Sequence, residues 1–312
     1  MAGIRHTVAV AGGTGFVGGS IARELASRGA HVIVLSHRRD LPATLTDPAL
    51  RGRVEMRQTD VTRPESMPAA LAGSDTLVVA LAFKNFPVEA PRRGQTFEKI
   101  DGDGTIALTK AASSAGIDRI VYISGSGAAP DGDKTWYRAK ARAEAFIRSS
   151  GLTYTIFRPS WIYGPGDRSL NRFLAFGKWL PFIPQIGSGN QRLAPLFVDD
   201  IGALVADALE TADADDMVFE VGGPDTWTMN EIVRTALRVR GIRRPLLHAP
   251  TVLVKASVAP LVLLPSPPIR PSAIDFAVQA APVDTSLLRT RLRRRLTPLE
   301  EGLATYLRPH DS

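Results

Sequence analysis

Six short apolar runs, each bounded by glycines or polar residues, set the rhythm of the first half of the chain. They are HTVAVAGG (6–13), HVIVLS (31–36), RVEMRQTD (53–60), DTLVVALAF (75–83), DRIVYISG (118–125) and LTYTIFRPS (152–160). Between them stand stretches with helical spacing of apolar residues: IARELASRG (21–29), with Gly29 placed as a C-cap, then PESMPAALAG, FEKIDGDGTIALTKAASSAG and KTWYRAKARAEAFIRSSG. Apolar strands alternating with helices predict a parallel sheet covered on both faces. The fold class is therefore α/β, with a doubly wound parallel Rossmann-type sheet. Ligands of such sheets bind beyond the carboxyl ends of the strands.

The pattern changes after residue 160. DRSLNRFLAFGKWLPFIPQIGSG (167–189) is aromatic, proline-rich and poorly periodic. PLFVDDIGALVADALE (195–210) reads as a helix, MVFEVGG (217–223) as a strand and TMNEIVRTALRVRG (228–241) as another helix. The expected organisation is a dinucleotide-binding core over 1–165, to which 195–222 returns. Residues 166–194 and 223–312 then form a smaller C-terminal substrate or lid region. APTVLVKASVAPLVLLPSPP (249–268) is strongly apolar but broken by prolines, too short and interrupted for a membrane span. It reads as a buried or lid helix in preference to a membrane-surface one. No tandem repeat and no long linker divides the chain.

Composition narrows the classes. The 312 residues are 44% hydrophobic and 22% charged, enough for a large core and too ordinary for wholesale disorder. The start, MAGIRHTVAVAGG, has no basic region followed by an apolar run, so no signal peptide is expected. Cysteine is absent, which excludes disulfides, thiolate zinc sites and a cysteine nucleophile. It also fits a reducing, cytoplasmic location. The net charge is +7, with arginines gathered in RTRLRRRL (289–296). That run reads as a solvated helix face, with attraction to anionic lipid, nucleic acid or acidic cofactors as the sharper alternative. No recognition module or aromatic–basic interleaving supports a nucleic-acid partner. The 5 histidines are scattered. Asp199 and Asp200 at a helix start read as capping and dipole stabilisation rather than a metal pair, so no metal is expected.

The chemistry begins at AGGTGFVGGS (11–20), where Gly12, Gly15 and Gly18 follow the first strand and open the first helix. Gly12 permits a tight turn, Gly15 lets the backbone approach a pyrophosphate, and Gly18 lets the helix pack on the sheet. The helix N-terminus adds free N–H groups and a positive dipole end. Gly12, Gly13, Gly15, Phe16 and Val17 are thus the expected phosphate cradle. The second strand ends in LSHRRD (35–40), with Ser36, Arg38 and Arg39 ahead of the first acid, Asp40. A hydroxyl and guanidinium groups suit the 2′-phosphate of NADP, where an acid would take the 2′-hydroxyl of NAD. NADP(H) is the expected cofactor and NAD(H) the alternative. Asp60 and Val61 face the adenine. Ala80, Leu81 and Ala82, after the fourth strand, belong to the same site, and Pro159, Ser160, Trp161 and Ile162 frame the nicotinamide.

Together these motifs resemble the extended or atypical short-chain dehydrogenases/reductases. The resemblance rests on AGGTGFVG, QTDVT (58–62), LVVALA (77–82), IVYISGSGA (120–128), YRAKARAE (137–144), FRPSWIYGPGD (157–167), LFVDDIGA (196–203) and FEVGGPDTWTMNEIV (219–233), and spans nearly the whole chain. RRRLTPLEEGLATYL (293–307) is similar to the ending of the atypical branch related to the nucleotide-binding accessory subunit of respiratory complex I. That branch implies a smaller C-terminal part closing over the substrate. It also implies either chemistry on hydrophobic or quinone-like compounds or bound nucleotide without turnover.

The resemblance further implies a Tyr four residues before a Lys on one helix face, the Lys binding the nicotinamide ribose and lowering the Tyr pKa. The Tyr then exchanges a proton at the substrate oxygen, and an upstream Ser orients that oxygen. Counted back from Lys140, the Tyr position is held by Trp136, and Tyr137 lies about 100° around the helix from it. An indole N–H donates a hydrogen bond but exchanges no proton near neutral pH. Lys140 remains a cofactor ligand, and three routes stay open. The Tyr chemistry is lost and the protein binds nucleotide or uses another donor; Tyr137 recovers the role through a local distortion; or a hydride goes to an electron-poor carbon and water supplies the proton. Ser124, Ser126 and Tyr163 are the other candidate donors.

On the substrate side, Phe173, Phe176, Trp179, Phe182 and Ile183 offer apolar area, with Arg172, Lys178 and Arg192 the main cations. A hydrophobic small-molecule substrate is expected. The reading is an NADP(H)-dependent oxidoreductase acting on a hydrophobic carbonyl or a quinone- or enone-like compound. One alternative is a non-catalytic nucleotide-binding subunit or redox sensor, docked peripherally on a membrane complex through 249–268 and the 289–295 arginines. The other is an NAD-dependent nucleotide-sugar epimerase or dehydratase.

Overall fold

The six apolar runs form strands of one sheet in the computed structural model, which describes residues 6–38, 40–167, 169–171, 174–175, 180–264 and 269–307. They are β1 (Thr7–Ala11), β2 (His31–Ser36), β3 (Val54–Gln58), β4 (Thr76–Val79), β5 (Arg119–Ile123) and β6 (Thr153–Pro159). A seventh strand, Met217–Val221, comes from beyond the midpoint. The order across the sheet is Met217–Val221, β6, β5, β4, β1, β2, β3, with every pairing parallel. The order reverses between β1 and β4, so the ligand crevice of such a sheet opens beyond the carboxyl ends of these two strands.

Successive side chains of β1 point to opposite faces, and both faces are covered. Val8 and Val10 pack with Ile21 and Leu25 of α1 (Phe16–Ser27) and with Ile201 and Leu204 of the helix Val198–Leu209. Ala9 and Ala11 face the other layer, where Leu71 of α2 (Met67–Leu71), Leu108 of α3 (Thr105–Ser114) and Ile147 of α4 (Thr135–Arg148) are buried. Each such side chain contributes roughly 1.5–3 kcal/mol on full burial. This two-sided covering is why β1, β2, β4 and β5 read as nearly unbroken apolar runs, while the edge strand β3 alternates.

A third apolar cluster gathers residues from Tyr163 to Leu307, including Ile183, Ile232, Leu237 and Leu303. Its main helix, Met229–Val239, starts with a capping box in which Thr228 and Glu231 satisfy each other's backbone N–H groups. The late arginine run meets acids of the second half of the chain: Arg294 pairs with Asp207 of the helix Val198–Leu209, Arg291 lies 4.0 Å from Asp213 and Arg295 lies 3.6 Å from Glu301.

The 249–268 segment departs from the expected buried helix. Its helix Thr251–Val258 buries no residue, and Val252 and Leu253 are 77% and 64% exposed. The adjoining helix Pro271–Val278 is joined to it by an ion pair of 2.5 Å between Lys255 and Asp275, and the outward apolar side chains are left without cover. Apolarity in the sequence signals a preference for burial, and here the described residues cover only part of the helix surface. Among the described residues no helix is long and apolar enough to cross a membrane.

Candidate functional site

The loop between β1 and α1 has the conformation its glycines demand. Gly12 has φ +83, and a Cβ there would run into the Ala80 carbonyl beyond β4; a Cβ at Gly18 would run into the Gly12 carbonyl. Gly15 N–H donates to the Gly12 carbonyl at 2.8 Å, closing the turn. Gly15 is also the N-cap of α1, which has no side-chain cap and no acid in its first turn. Its first N–H groups therefore lack the usual partners, and an anion fits them. The Phe16 ring sits against Gly164 and Gly166, holding the loop after β6 to the start of α1.

At the end of β2 the Ser36 hydroxyl lies 2.9 Å from that of Thr14 and accepts the Arg38 N–H at 3.0 Å. It ties the glycine loop after β1 to the turn that carries the exposed Arg38. Arg39 lies outside the described residues. Asp60 accepts from the Thr62 N–H at 2.9 Å and the Thr62 hydroxyl at 2.7 Å. Burial opposes its ionisation, yet these donors, with Arg63 and His37 nearby, hold its pKa below the ordinary aspartate value. A Cβ at Gly104 would touch Val61 at 3.0 Å and Leu81 at 3.5 Å, so these two side chains meet in one apolar slot. Ala82 beside them is exposed.

Lys140 leaves α4 and lies along Gly125, just past β5. Its Nζ is 3.1 Å from Oδ1 of Asp101, a buried carboxylate the sequence reading did not single out. Asp101 belongs to a π-helical turn, Phe97–Gly104, that runs directly into α3. Such widened turns occur mostly as short insertions, often at functional sites. The only hint in the sequence was DGDG inside an otherwise helical stretch.

Trp136 is buried and donates its indole N–H to Gln279 Oε1 at 3.1 Å; the Tyr137 hydroxyl donates to the same oxygen at 3.1 Å. Gln279 directly follows the helix Pro271–Val278, whose Phe276 stands 5.3 Å from the Trp136 ring and 5.0 Å from Phe86. Phe83 and Phe97 complete this aromatic wall. The wall expected from the 167–189 segment is only partly visible: Arg172, Phe173, Phe176, Lys178 and Trp179 lie outside the described residues. Ile183 belongs to the third cluster, Phe182 is half-buried, and Arg192 is exposed.

Two other expected donors face inward. The Ser124 hydroxyl donates to Glu144 Oε1 at 2.6 Å, and Glu144, 0% exposed, also receives Arg158 at 2.9 and 2.6 Å and Arg148 at 2.8 Å. Tyr163 is fully buried, its hydroxyl 3.3 Å from the Leu299 carbonyl, and burial pushes its pKa well up. Ser126 donates to the Pro282 carbonyl at 3.1 Å. Among the residues after β6, Pro159 accepts the Ser126 N–H at 2.9 Å, and Ser160 donates to the Ala281 carbonyl at 2.7 Å. Trp161 donates to Ser169 at 3.3 Å, and Ile162 pairs with Leu196. Asp199 accepts from Ser20 at 2.8 Å and from Arg23, and Asp200 from the Thr297 N–H at 2.7 Å; both stitch the helix Val198–Leu209 to its neighbours. The glycine loop after β1, Ser36, Val61, Leu81 and Lys140 thus share the carboxyl side of the sheet.

Known proteins match this chain over the same elements. A family model described as NAD(P)H-binding covers residues 12–175. The alpha subcomplex subunit 9 of mitochondrial NADH dehydrogenase (ubiquinone) from Arabidopsis thaliana is 30% identical over 227 residues, 72% of this chain and 55% of that protein. The 40 kDa subunit of mitochondrial NADH-ubiquinone oxidoreductase from Neurospora crassa is 26% identical over 253 residues, 80% of this chain and 64% of that one. The chain therefore spans less than two thirds of the length of either subunit. A ceramide reductase from Caulobacter vibrioides is 27% identical over 247 residues, 79% of this chain and 74% of the reductase. Among solved structures, MoeE5 in complex with UDP-glucuronic acid and NAD gives a TM-score of 0.73 at 20% identity, covering 96% of this chain and 97% of that one. The epimerase Mth375 from Methanothermobacter thermautotrophicus gives 0.75 at 17% identity, covering 96% and 90%. These two likenesses show the fold.

Proposed function

The chain belongs to the NAD(P)H-binding family within the short-chain dehydrogenase/reductase superfamily, and from that premise we propose that it is an NADP(H)-dependent oxidoreductase acting on a hydrophobic carbonyl, quinone or enone. The observation that carries the reading is an uncapped helix end behind a glycine turn with Lys140 and an aromatic wall on the same side of the sheet. The bound dinucleotide would supply or accept the hydride.

Gly12, Gly13, Gly15, Phe16 and Val17 offer backbone to the diphosphate, and Ser36 with Arg38 meets the 2′-phosphate. Val61 and Leu81 flank the adenine, with Asp60, Ala80 and Ala82 at its margins. Lys140 holds the ribose, and Pro159 to Ile162 frame the nicotinamide. The wall of Phe83, Phe86, Phe97, Trp136 and Phe276 excludes water and matches an apolar substrate. Of the three routes for the proton, the geometry supports hydride addition to an electron-poor carbon with water as the proton source. Trp136 exchanges no proton, the Tyr137 hydroxyl is committed to Gln279 and raised in pKa by burial, and Ser124 is committed to Glu144. Tyr137→Phe is accordingly expected to keep turnover within about twofold, whereas a general acid contributes on the order of a hundredfold or more. Stopped-flow oxidation of the reduced cofactor by a quinone reads the difference.

Calorimetric titration with the four nicotinamide nucleotides tests the cofactor. The 2′-phosphorylated forms are expected to bind at least about tenfold tighter, as one charge-assisted hydrogen bond implies. Arg38→Ala is expected to erase that preference while leaving the affinity for NADH unchanged. Equal affinities in the unmodified chain would refute NADP(H) as the preferred cofactor.

A second reading has its own support: a nucleotide-binding subunit seated on a membrane complex without turnover. It draws on the exposed Val252, Leu253, Val262 and Leu264 and on the subunits that this chain resembles. Tight dinucleotide binding with no hydride transfer to any quinone or enone, together with sedimentation on membranes, would select it.

A further inference from the structure

Lys140 and Asp101 come from different elements and meet where neither is well solvated. Their side chains are 14% and 2% exposed, and Nζ stands 3.1 Å from Oδ1. Asp101 Oδ2 is buried with no hydrogen-bond partner among the described residues. A buried carboxylate with one oxygen unmet is costly unless a cation compensates it. The π-turn that delivers Asp101 contains two glycines and gives up regular α-helical bonding to do so.

We propose that Asp101 is a positioning residue of the cofactor site, which fixes the Lys140 ammonium, in its charged state, on the ribose side of the crevice. The proposal rests on the reading of Lys140 as the ribose ligand. Lys140 then acts as a permanent cation and not as the proton donor that Trp136 fails to be.

The other groups facing Lys140 are Tyr122 from β5, whose ring lies 5.6 Å below Nζ, and Glu144 from α4. Burial pushes the Tyr122 hydroxyl up to about 12, so it stays neutral through the working range. Glu144 is committed to Arg148, Arg158 and Ser124. Asp101 is the carboxyl left to Lys140; burial raises its pKa, and the Lys140 ammonium beside it favours the ionised form. Burial by itself would lower the lysine pKa; Tyr122, which contributes only once it ionises, and the carboxylates of Asp101 and Glu144 outweigh it and hold the value above that of an ordinary lysine. The sign follows: a raised lysine keeps its charge below the unfolded value and loses it only as pH rises past the folded one.

The test is NADPH affinity against pH, measured calorimetrically on the full chain. In the unmodified protein the affinity is expected to stay within about twofold between about pH 7 and about pH 10. Asp101→Asn keeps the shape and one hydrogen bond but removes the charge. Burial then lowers the Lys140 pKa, and affinity is expected to fall about tenfold across the same range, the scale of one charge-assisted contact. Lys140→Met is expected to bind weakly with a flat profile, and adding Asp101→Asn to it should cost nothing further. A flat profile in a folded Asp101→Asn variant overturns the proposal. So does an affinity in the unmodified chain that drops across this range, and that measurement decides alone should the variant not fold. A chain that binds no nicotinamide dinucleotide at any pH sinks the cofactor reading and this proposal together; one that binds but loses affinity with rising pH sinks this proposal only.

Discussion

Gly12→Val is expected to weaken dinucleotide binding by about a hundredfold or more while the sheet stays folded. Gly12 sits at φ +83, where a β-branched residue is strained by roughly 1–2 kcal/mol or more. The added Cβ also meets backbone rather than a movable side chain, namely the Ala80 carbonyl beyond the neighbouring strand β4. Relief requires the loop to lift from β4, which turns the first N–H groups of α1 away from the diphosphate. Loss of two charge-assisted bonds at about 1.5–3 kcal/mol each gives the hundredfold estimate. Gly73→Ala is the control. Gly73 also has positive φ, +75, but a Cβ there meets nothing within 4 Å. It is expected to cost about 1 kcal/mol of stability and leave nucleotide affinity unchanged. Calorimetry and circular dichroism on the two variants separate the effects.

Glu144→Ala is expected to be the most destabilising single change, at about 3–5 kcal/mol, because it removes one partner of a buried ion pair and leaves the other. Glu144 is fully buried, and Arg158 approaches it through both Nε and Nη2. Without the carboxylate, Arg158 keeps its charge in a poorly solvated place, and the Ser124 hydroxyl loses its acceptor. A fall in the thermal midpoint of roughly 5–8 °C is the expected readout for a chain of this size. Arg238→Ala, which breaks a pair with Glu300 at 3.1 Å whose members are both more than half exposed, is expected to change stability by less than about 1 kcal/mol. Equal effects from the two substitutions would refute the assignment of the Glu144 network as a structural centre.

What the sequence made legible was local. β1, β2, β4 and β5 could be placed because strands buried on both faces are apolar almost throughout, whereas β3, at the sheet edge, alternates apolar with Glu55 and Arg57. The glycine turn after β1 could be read because Gly12 and Gly18 occupy backbone positions that no Cβ can share. Trp136 could be set against the expected Tyr because helix geometry fixes position 136 relative to Lys140. The rest depended on contacts between distant segments. Gln279 reaches Trp136 across 143 positions, and Phe276 joins Phe83 and Phe97 in a wall that no short stretch encodes. Asp101 lay in a segment that reads as plain helix, and only the π-turn sets it beside Lys140. Ser124 lies at the end of β5 as expected, but its partner Glu144 turns its hydroxyl inward. The apolar 249–268 stretch could be read as helix but not as an unburied one, since hydropathy cannot say whether the fold supplies a partner surface.

The central claim is that the crevice between β1 and β4 takes a nicotinamide dinucleotide against the N-terminus of α1. A crystal structure of the chain soaked with NADPH tests it most directly. The diphosphate is expected within hydrogen-bonding distance of the Phe16 and Val17 N–H groups, with Lys140 at the nicotinamide ribose. Dinucleotide bound at any other place, or a crevice that stays closed by the protein's own side chains at saturating ligand, would contradict it.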